Sequence, residues 1–316
     1  MTAAASPLPW SGCHGVRLGP PDRGAPYGTC AGTPLLEAEL ALGPITVPGG
    51  RELWAISTNV DVGGEAVAVD QRLVRDAQGT DVLVGATPLL SVDHRRSLIT
   101  TGTAEDDPRT LQMVTTFAIP LLLHDAGVLV FHASACARDG MAVVVAGRSG
   151  SGKSSLLVAL LEAGWQTVSE DLCAVELRGD GAWVWPGPPW VRRVPGAAGP
   201  EGSRIRFEAR DKTAWDLSEH MVDGPRPVAA MVLLDAPGGS AVQCTPMDAA
   251  EAIGHLAHHA VWLGDPLARA AALFKPCAQL ARAVPARGLR IPRQPAWGDA
   301  VRALDEALSA AATTSG

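Results

Sequence analysis

The residues with the clearest chemical pattern are at positions 147–154, which read Gly-Arg-Ser-Gly-Ser-Gly-Lys-Ser. In this G-x-x-x-x-G-K-[ST] spacing the backbone N–H groups surround a polyphosphate, the lysine reaches its outer phosphates and the hydroxyl holds Mg²⁺. The apolar run 141–146 predicts a buried strand before the motif, and the run 154–162 predicts a helix after it. The sequence therefore predicts a nucleotide-binding loop made of Gly147, Arg148, Ser149, Gly150, Ser151, Gly152, Lys153, Ser154 and Ser155.

Two neighbouring acids, Glu170 and Asp171, follow the next predicted strand at 165–169. A strand–helix–strand crossover this short is normally parallel, so both strands are expected to end at the same edge of the sheet, where α/β folds bind ligands. One carboxylate can then complete the magnesium shell that Ser154 begins, and the other can take a proton from an attacking hydroxyl. The alternative interpretation is a solvated acidic turn.

Four segments in this order resemble the HPr kinase/phosphorylase family, and more closely the HPr-kinase-related proteins of bacterial biosynthetic clusters. That family shares its nucleotide-binding core with phosphoenolpyruvate carboxykinases. The segments are Phe131-His-Ala-Ser-Ala135, the turn Asp139-Gly140, the strand and loop at 143–155, and Val168-Ser-Glu-Asp-Leu172. The resemblance implies an α/β fold with an HPr-kinase-like phosphate-loop core, to which the sequence adds a β-rich N-terminal lobe and C-terminal helices.

The same resemblance implies an ATP- and Mg²⁺-dependent transfer of phosphate to a serine-type hydroxyl. It assigns phosphate binding to Lys153, and metal binding to Ser154 and Asp171. It assigns the general base to Glu170, which stands where the family usually has an aspartate. His132 matches a family histidine that faces the phosphates, and the alternative for it is a buried histidine bonded to a backbone carbonyl.

Further cations follow the acidic pair. Lys212 is predicted to neutralise the migrating phosphoryl group, because related kinases often carry a lysine in this stretch. Arg193 and Arg204 are candidates for the same phosphate or substrate contacts. The histidines on the predicted helix at 247–262 have helical spacing, but no partner ligand supports a metal site, so exposed surface histidines are the preferred interpretation.

Composition limits the classes of function. The chain has 316 residues, a net charge of −7 and a pI near 5.6, which argues against a broad nucleic-acid surface. The sequence shows no apolar run of membrane length, no signal-peptide pattern and no paired cysteine motif. We therefore expect a cytoplasmic protein that binds neither nucleic acid nor membrane.

Three regions are predicted along the chain. Residues 1–33 are expected to form a flexible N-terminal segment, residues 34–108 a β-rich lobe, and residues 109–312 the kinase domain. The 109–125 segment is predicted to be helical, with Asp106-Asp107-Pro108 at its start.

The predicted function is an ATP-dependent kinase for a serine or threonine hydroxyl. The acceptor is expected in a ribosomal natural-product precursor peptide or in a small hydroxylated metabolite. Two alternatives stay open, a nucleotide-binding regulator that transfers no phosphate and a carboxykinase-like enzyme. A homo-oligomer is possible.

Overall fold

The computed structural model describes residues 12–13, 16–19, 36–42, 51–62, 65–77, 79–84, 87–102, 110, 113–194, 196–209, 212–234, 238, 240–293 and 295–314. The chain is mixed α/β and has two compact units. The first comprises Met1–Gly127 and Trp262–Arg269, and the second comprises Val128–Val261 and Ala270–Gly316. Among the described residues, no helix combines the length and apolar character needed to cross a membrane.

The first unit contains an eight-stranded sheet with the order β1-β2-β3-β8-β7-β6-β5-β4. In β7, buried Leu90 and Val92 alternate with partly exposed Ser91 and Asp93, which is the period of two that a half-buried strand requires. The described strands are β1 (Gly12–Cys13), β2 (Val16–Gly19), β3 (Leu36–Leu42), β4 (Arg51–Val62), β5 (Glu65–Arg75), β6 (Gly79–Val84), β7 (Thr87–Asp93) and β8 (Leu98–Thr101).

Strands β1 and β2 lie inside the segment 1–33 that the sequence predicts to be flexible, and the rest of that segment lies outside the described residues. The predicted helix at 109–125 appears as a π-helical turn, Val114–Ala118, followed by α1 (Ile119–Asp125). Its predicted cap at 106–108 lies outside the described residues. The first compact unit continues to Gly127, and within it the π-helical turn contacts β7.

The second unit is a nine-stranded mixed sheet whose centre is β11, flanked by β10 on one side and β18 on the other. All residues of β11 after Met141 are buried, as expected for a strand covered on both faces. The strands are β9 (Leu129–Phe131), β10 (Ala133–Arg138), β11 (Met141–Gly147), β12 (Gln166–Ser169), β13 (Cys173–Arg178), β14 (Gly181–Val184), β18 (Arg226–Leu234), β19 (Gln243–Pro246) and β20 (Ala286–Arg290). A separate three-stranded sheet, in the order β15-β17-β16, contains β15 (Trp190–Arg193), β16 (Ile205–Ala209) and β17 (Lys212–Asp216).

The order of these strands differs in one respect from the expected crossover. Strand β12 does not neighbour β11, because β10 lies between them and pairs antiparallel with both. Two antiparallel steps leave β11 and β12 pointing the same way. Their carboxyl ends therefore lie at one edge of the sheet, as the sequence analysis required.

Four further α-helices and two 3₁₀ helices (Ser218–His220 and Pro266–Ala268) complete the described part of the chain, and the α-helices are α2 (Lys153–Glu162), α3 (Ala249–His259), α4 (Arg269–Ala283) and α5 (Trp297–Thr314). Helix α2 is almost wholly apolar and buried between Leu156 and Leu161. It ends where Gly164 adopts φ 84° and its N–H bonds to the carbonyl of Leu161. A glycine with positive φ after the last turn is a common way to end a helix.

Candidate active site

A glycine-rich loop connects β11 directly to α2, and its geometry requires glycine at positions 147 and 152. Gly152 precedes the first helical residue with φ 103°, a conformation that L-residues rarely adopt. A Cβ on Gly147 would lie 2.7 Å from the carbonyl oxygen of Leu234. The loop therefore places the first turn of α2, whose N–H groups have no intrahelical acceptors, at the edge of the sheet.

The Lys153 side chain is folded back against this loop. Its Nζ donates to the carbonyl oxygens of Gly147 at 2.7 Å and of Arg148 at 3.1 Å, and the residue is only 8% exposed. Burial lowers the pKa of Lys153 from its ordinary value, the negative charge of Glu170 opposes that change, and the charge of Lys212 adds to it. The ammonium is thus hydrogen-bonded to two neutral carbonyl oxygens of the loop.

Glu170 lies beside the hydroxyl of the motif. Ser154 Oγ donates to Glu170 Oε1 at 2.7 Å, and the backbone N–H of Arg192 donates to Glu170 Oε2 at 3.3 Å. Glu170 is 6% exposed, so its carboxylate is fixed by these two donors. The acid that contacts Ser154 is therefore Glu170, whereas the sequence resemblance assigned the partner role to Asp171.

Asp171 occupies a tight turn with unusual backbone geometry. Its φ is 70°, and the N–H of Leu172 donates across it to the carbonyl of Glu170 at 2.9 Å. Positive φ at a residue other than glycine costs free energy, and such residues concentrate at functional sites. The Asp171 carboxylate forms an ion pair with the Arg192 guanidinium. The two neighbouring acids therefore have different partners.

His132 lies at the break between β9 and β10 and touches the same turn. Its Nδ1 lies 2.9 Å from the backbone carbonyl of Asp171, which can only accept, so Nδ1 carries the proton and Nε2 has a free lone pair. Burial lowers the pKa of His132 to about 4, and the positive charges of Lys153, Lys212 and Arg192 contribute. The carbonyl bond expected for a structural histidine is present, yet the ring also lines the cavity described next.

These groups surround one cavity of about 270 Å³, which we call the loop cavity. Lys212 on β17 lines it, and among the described residues no hydrogen bond or ion pair of its ammonium is seen. Arg193 also lines it, and its guanidinium donates to Ser155 Oγ at 3.3 Å and to the carbonyl of Ala198 at 2.5 Å. The full lining is His132, Ser149, Gly150, Gly152, Lys153, Ser154, Ser155, Glu170, Asp171, Arg192, Arg193, Val194 and Lys212.

Comparisons with known proteins find similarity among solved structures but not among family models or curated proteins. No protein-family model matches the chain, and no curated protein matches it. Among solved structures it is similar to the Hpr(Ser) kinase/phosphatase from Coxiella burnetii, with 13% identical residues and a TM-score of 0.30. The similarity covers 59% of this chain and 97% of that chain. A TM-score this low carries no inference about activity, so the family stays a prediction from the sequence.

Four predicted site residues do not line the loop cavity: Gly147, Arg148, Ser151 and Arg204. Arg204 lines a different cavity together with Asp216 and Glu219, because it precedes β16 on the far strand of the three-stranded sheet. Arg148 lines a neighbouring pocket with the histidines of α3. Ser151 is 2% exposed and does not line the loop cavity, so only its backbone remains a candidate for contacts there.

Sequence reasoning placed Arg192 in a basic run of which one or two members could neutralise the migrating phosphoryl group, but it did not single out Arg192. It belongs to the basic run after the acidic pair, but nothing in the sequence distinguishes it from Arg193. Pairing of β15 with β17 places Arg192 opposite Ala214 and brings its guanidinium to Asp171. The apolar and polar residues at 190–193 are compatible with a strand, but they do not show which other strand it pairs with.

Proposed function

We propose that the protein is an ATP-dependent phosphotransferase that acts on a hydroxyl acceptor. The observation that carries the proposal is the convergence of Lys153, Ser154 and the two acids on one cavity at the start of a buried helix. A cation, unpaired helical N–H groups and oxygen ligands for a hard metal are what a nucleoside triphosphate requires.

Phosphate binding would use groups that the protein already holds in place. The Lys153 ammonium bonds two neutral carbonyls, and a phosphate oxygen is a stronger, charged acceptor. Lys212 adds a second positive charge to the same cavity. We therefore assign the loop cavity to the polyphosphate of ATP, with Lys153 nearest its outer phosphates.

The oxygen donors fit magnesium. Ser154 and Glu170 supply a hydroxyl and a carboxylate in contact with each other, and Mg²⁺ in nucleotide sites takes one or two carboxylates, phosphate oxygens and water. Among the described residues, no cluster of three or more His, Cys, Asp and Glu side chains could hold a metal, so a site here would depend on the nucleotide for further ligands. When bound, the ion would neutralise charge on the phosphates.

The contacts favour an exchange of the roles assigned from sequence resemblance. Glu170 is paired with the motif hydroxyl and buried, which suits a metal ligand. Asp171 lines the same cavity, and its ion pair with Arg192 keeps the carboxylate ionised and able to accept a proton. We assign metal binding to Ser154 and Glu170, and proton abstraction to Asp171.

The transfer then needs a single proton and a single phosphoryl group to move. The acceptor hydroxyl oxygen forms a bond to the γ-phosphorus while the bond from that phosphorus to the bridging oxygen of ADP breaks. The hydroxyl proton passes to the Asp171 carboxylate. With Nδ1 committed to a carbonyl, neutral His132 can accept a hydrogen bond from the hydroxyl through Nε2, but it cannot donate one to the γ-phosphate.

The acceptor proposed from the sequence is a serine or threonine hydroxyl of a precursor peptide, or a small hydroxylated metabolite. The test is transfer from γ-labelled ATP with Mg²⁺ to pooled peptide and small-molecule acceptors. Lys153→Ala is expected to lower transfer by about 10²–10³-fold, the magnitude typical of a lost electrostatic contact to a transition state. Lys275→Ala, in exposed surface of α4, is the matched control and should transfer at the wild-type rate.

Two outcomes would contradict the proposal. Nucleotide binding without transfer to any acceptor or to water would favour the regulatory alternative. Equal transfer by the wild type and Lys153→Ala would remove the loop from the reaction altogether.

A further inference from the structure

A second cavity borders the glycine-rich loop at Arg148. It has a volume of about 490 Å³, and its lining includes Arg148 of the loop, Leu234 at the end of β18, and Glu251, His255, His258 and His259 of α3. We call it the histidine pocket. None of its residues except Arg148 entered the site predicted from sequence.

The histidine pocket adjoins the end of the loop where the outer phosphates are expected. Lys153 donates to the carbonyl of Arg148, and a phosphate-loop lysine reaches the β- and γ-phosphates. The carbonyl of His259 accepts from the backbone N–H of His132 at 3.0 Å, so the two cavities are joined through that pair. Burial lowers the pKa of His259 to about 4, and the charges of His258, Lys153, His255 and His132 contribute, which places Lys153 within electrostatic reach of the pocket.

The charged side chains of the histidine pocket indicate which class of molecule it can bind. The Arg148 side chain is exposed, and among the described residues no hydrogen bond or ion pair of its guanidinium is seen. Glu251 is the acid in the lining, and it lies 3.9 Å from His255 Nε2. An arginine fork binds carboxylate and phosphate groups through paired hydrogen bonds.

We propose that the histidine pocket binds the phosphate acceptor, and that Arg148 selects acceptors that carry a carboxylate or phosphate group near the hydroxyl. The proposal rests on the proposed phosphotransferase function, since it takes the nucleotide to lie in the loop cavity. An acceptor held there reaches the terminal phosphate from the side opposite the helix N-terminus. Arg148 thus acts in specificity rather than in nucleotide binding through its side chain.

The test compares matched pairs of small acceptors on the full chain loaded with Mg–ADP. N-acetylserine is compared with N-acetylserine methylamide, and glycerol 3-phosphate with glycerol, by isothermal titration. In at least one pair the anionic member is expected to bind about tenfold more tightly or better, the range of a charged hydrogen-bonded pair. The pair that discriminates tells whether the recognised anion is a carboxylate or a phosphate.

The Arg148→Gln variant should reduce that ratio to about one, while Arg302→Gln, an exposed arginine paired with Asp299, should leave it unchanged. Because the ratio is taken on one protein, an effect of the substitution on nucleotide affinity cancels. Equal binding within both pairs, no binding by any of the four compounds, or the same loss of ratio in Arg302→Gln would each overturn the proposal. Failure of the protein to bind Mg–ADP at all would instead contradict the proposed function.

Discussion

The two cavities beside the glycine-rich loop differ in how their charged groups are held. In the loop cavity, Lys153 is bonded to carbonyls, Arg192 to Asp171, and Glu170 to Ser154, and of its charged groups Lys212 alone has no such bond among the described residues. In the histidine pocket, Arg148 projects without a recorded partner among the described residues. Catalysis benefits from groups that are held in position before the reaction, as in the loop cavity. An arginine without a protein partner can instead bind one class of ligand in preference to another.

The difference implies that substitutions in the loop cavity should change the rate, and that substitutions in the histidine pocket should change the choice of acceptor. Each prediction below tests this separation or the loop that lies between the two sites. They run from the largest expected effect to the smallest.

The two acids should give distinct defects. Asp171→Asn is expected to lower single-turnover transfer by about 10²–10⁴-fold, as loss of a general base does, without moving the Mg²⁺ concentration at half-maximal rate. Glu170→Gln should raise that Mg²⁺ concentration, because the amide is a weaker metal ligand. Measurement of transfer against Mg²⁺ concentration separates them, and neither variant should alter the ratio between anionic and neutral acceptors. The opposite pattern would restore the roles implied by the sequence resemblance.

Two glycines of the loop should differ in their tolerance of alanine. In Gly152→Ala a new Cβ would lie 2.6 Å from the Trp297 ring at φ 103°, so strain and overlap add, and we expect a loss of about 3 kcal/mol or more in unfolding free energy. In Gly150→Ala the Cβ enters open space at φ 77°, and the loss should be about 1–2 kcal/mol.

Chemical denaturation of both variants measures these losses. Gly152→Ala combined with Trp297→Leu should recover part of the stability, because the overlap is removed while the backbone strain remains. Equal losses in Gly150→Ala and Gly152→Ala would show that overlap of the new Cβ with Trp297 does not contribute to the loss of stability.

One histidine from each cavity should make stability depend on pH. The pKa of His132 and that of His259 are both lowered to about 4 by burial, whereas the unfolded chain titrates near the ordinary 6.5. The unfolded state therefore binds more protons between these values. The unfolding free energy should fall as the pH drops from 6.5 towards 4 and should level off below it. His132→Gln and His259→Gln should each flatten the profile.

Bound nucleotide should change the pKa values of these two histidines by different amounts. Phosphates in the loop cavity place negative charge near His132, which favours its protonated form and raises its pKa. Ring NMR titrations with and without Mg–ADP are expected to show a larger rise for His132 than for His259. An equal or larger rise for His259 would place the phosphates in the histidine pocket.

Local sequence pattern was enough to place the loop and its strand and helix, because glycine spacing and apolar runs act over a few residues. The turn at Asp139-Gly140 was expected for the same reason. The pattern could not tell which of two adjacent acids faces Ser154, since that depends on the positive φ at Asp171. It could not place Arg204 apart from Arg193 either, because their positions follow from strand pairing in the three-stranded sheet.

The histidine pocket was missed for a related reason. Histidines at helical spacing on α3 give a surface pattern on their own. They line a pocket together with Leu234 and with Arg148, the first residue after β11. A contact between a loop and a helix a hundred residues later in the chain has no signature in one sequence.

The most direct test of the central claim is the dependence of affinity on phosphate number. We expect isothermal titration of adenosine, ADP and ATP with Mg²⁺ to show affinity rising by about 100-fold or more along the series, because each added phosphate gains charged contacts in the loop cavity. Lys153→Ala should flatten the series, and Lys275→Ala should not. Equal affinity for adenosine and ATP in the wild-type protein would contradict the assignment of the loop cavity to the polyphosphate.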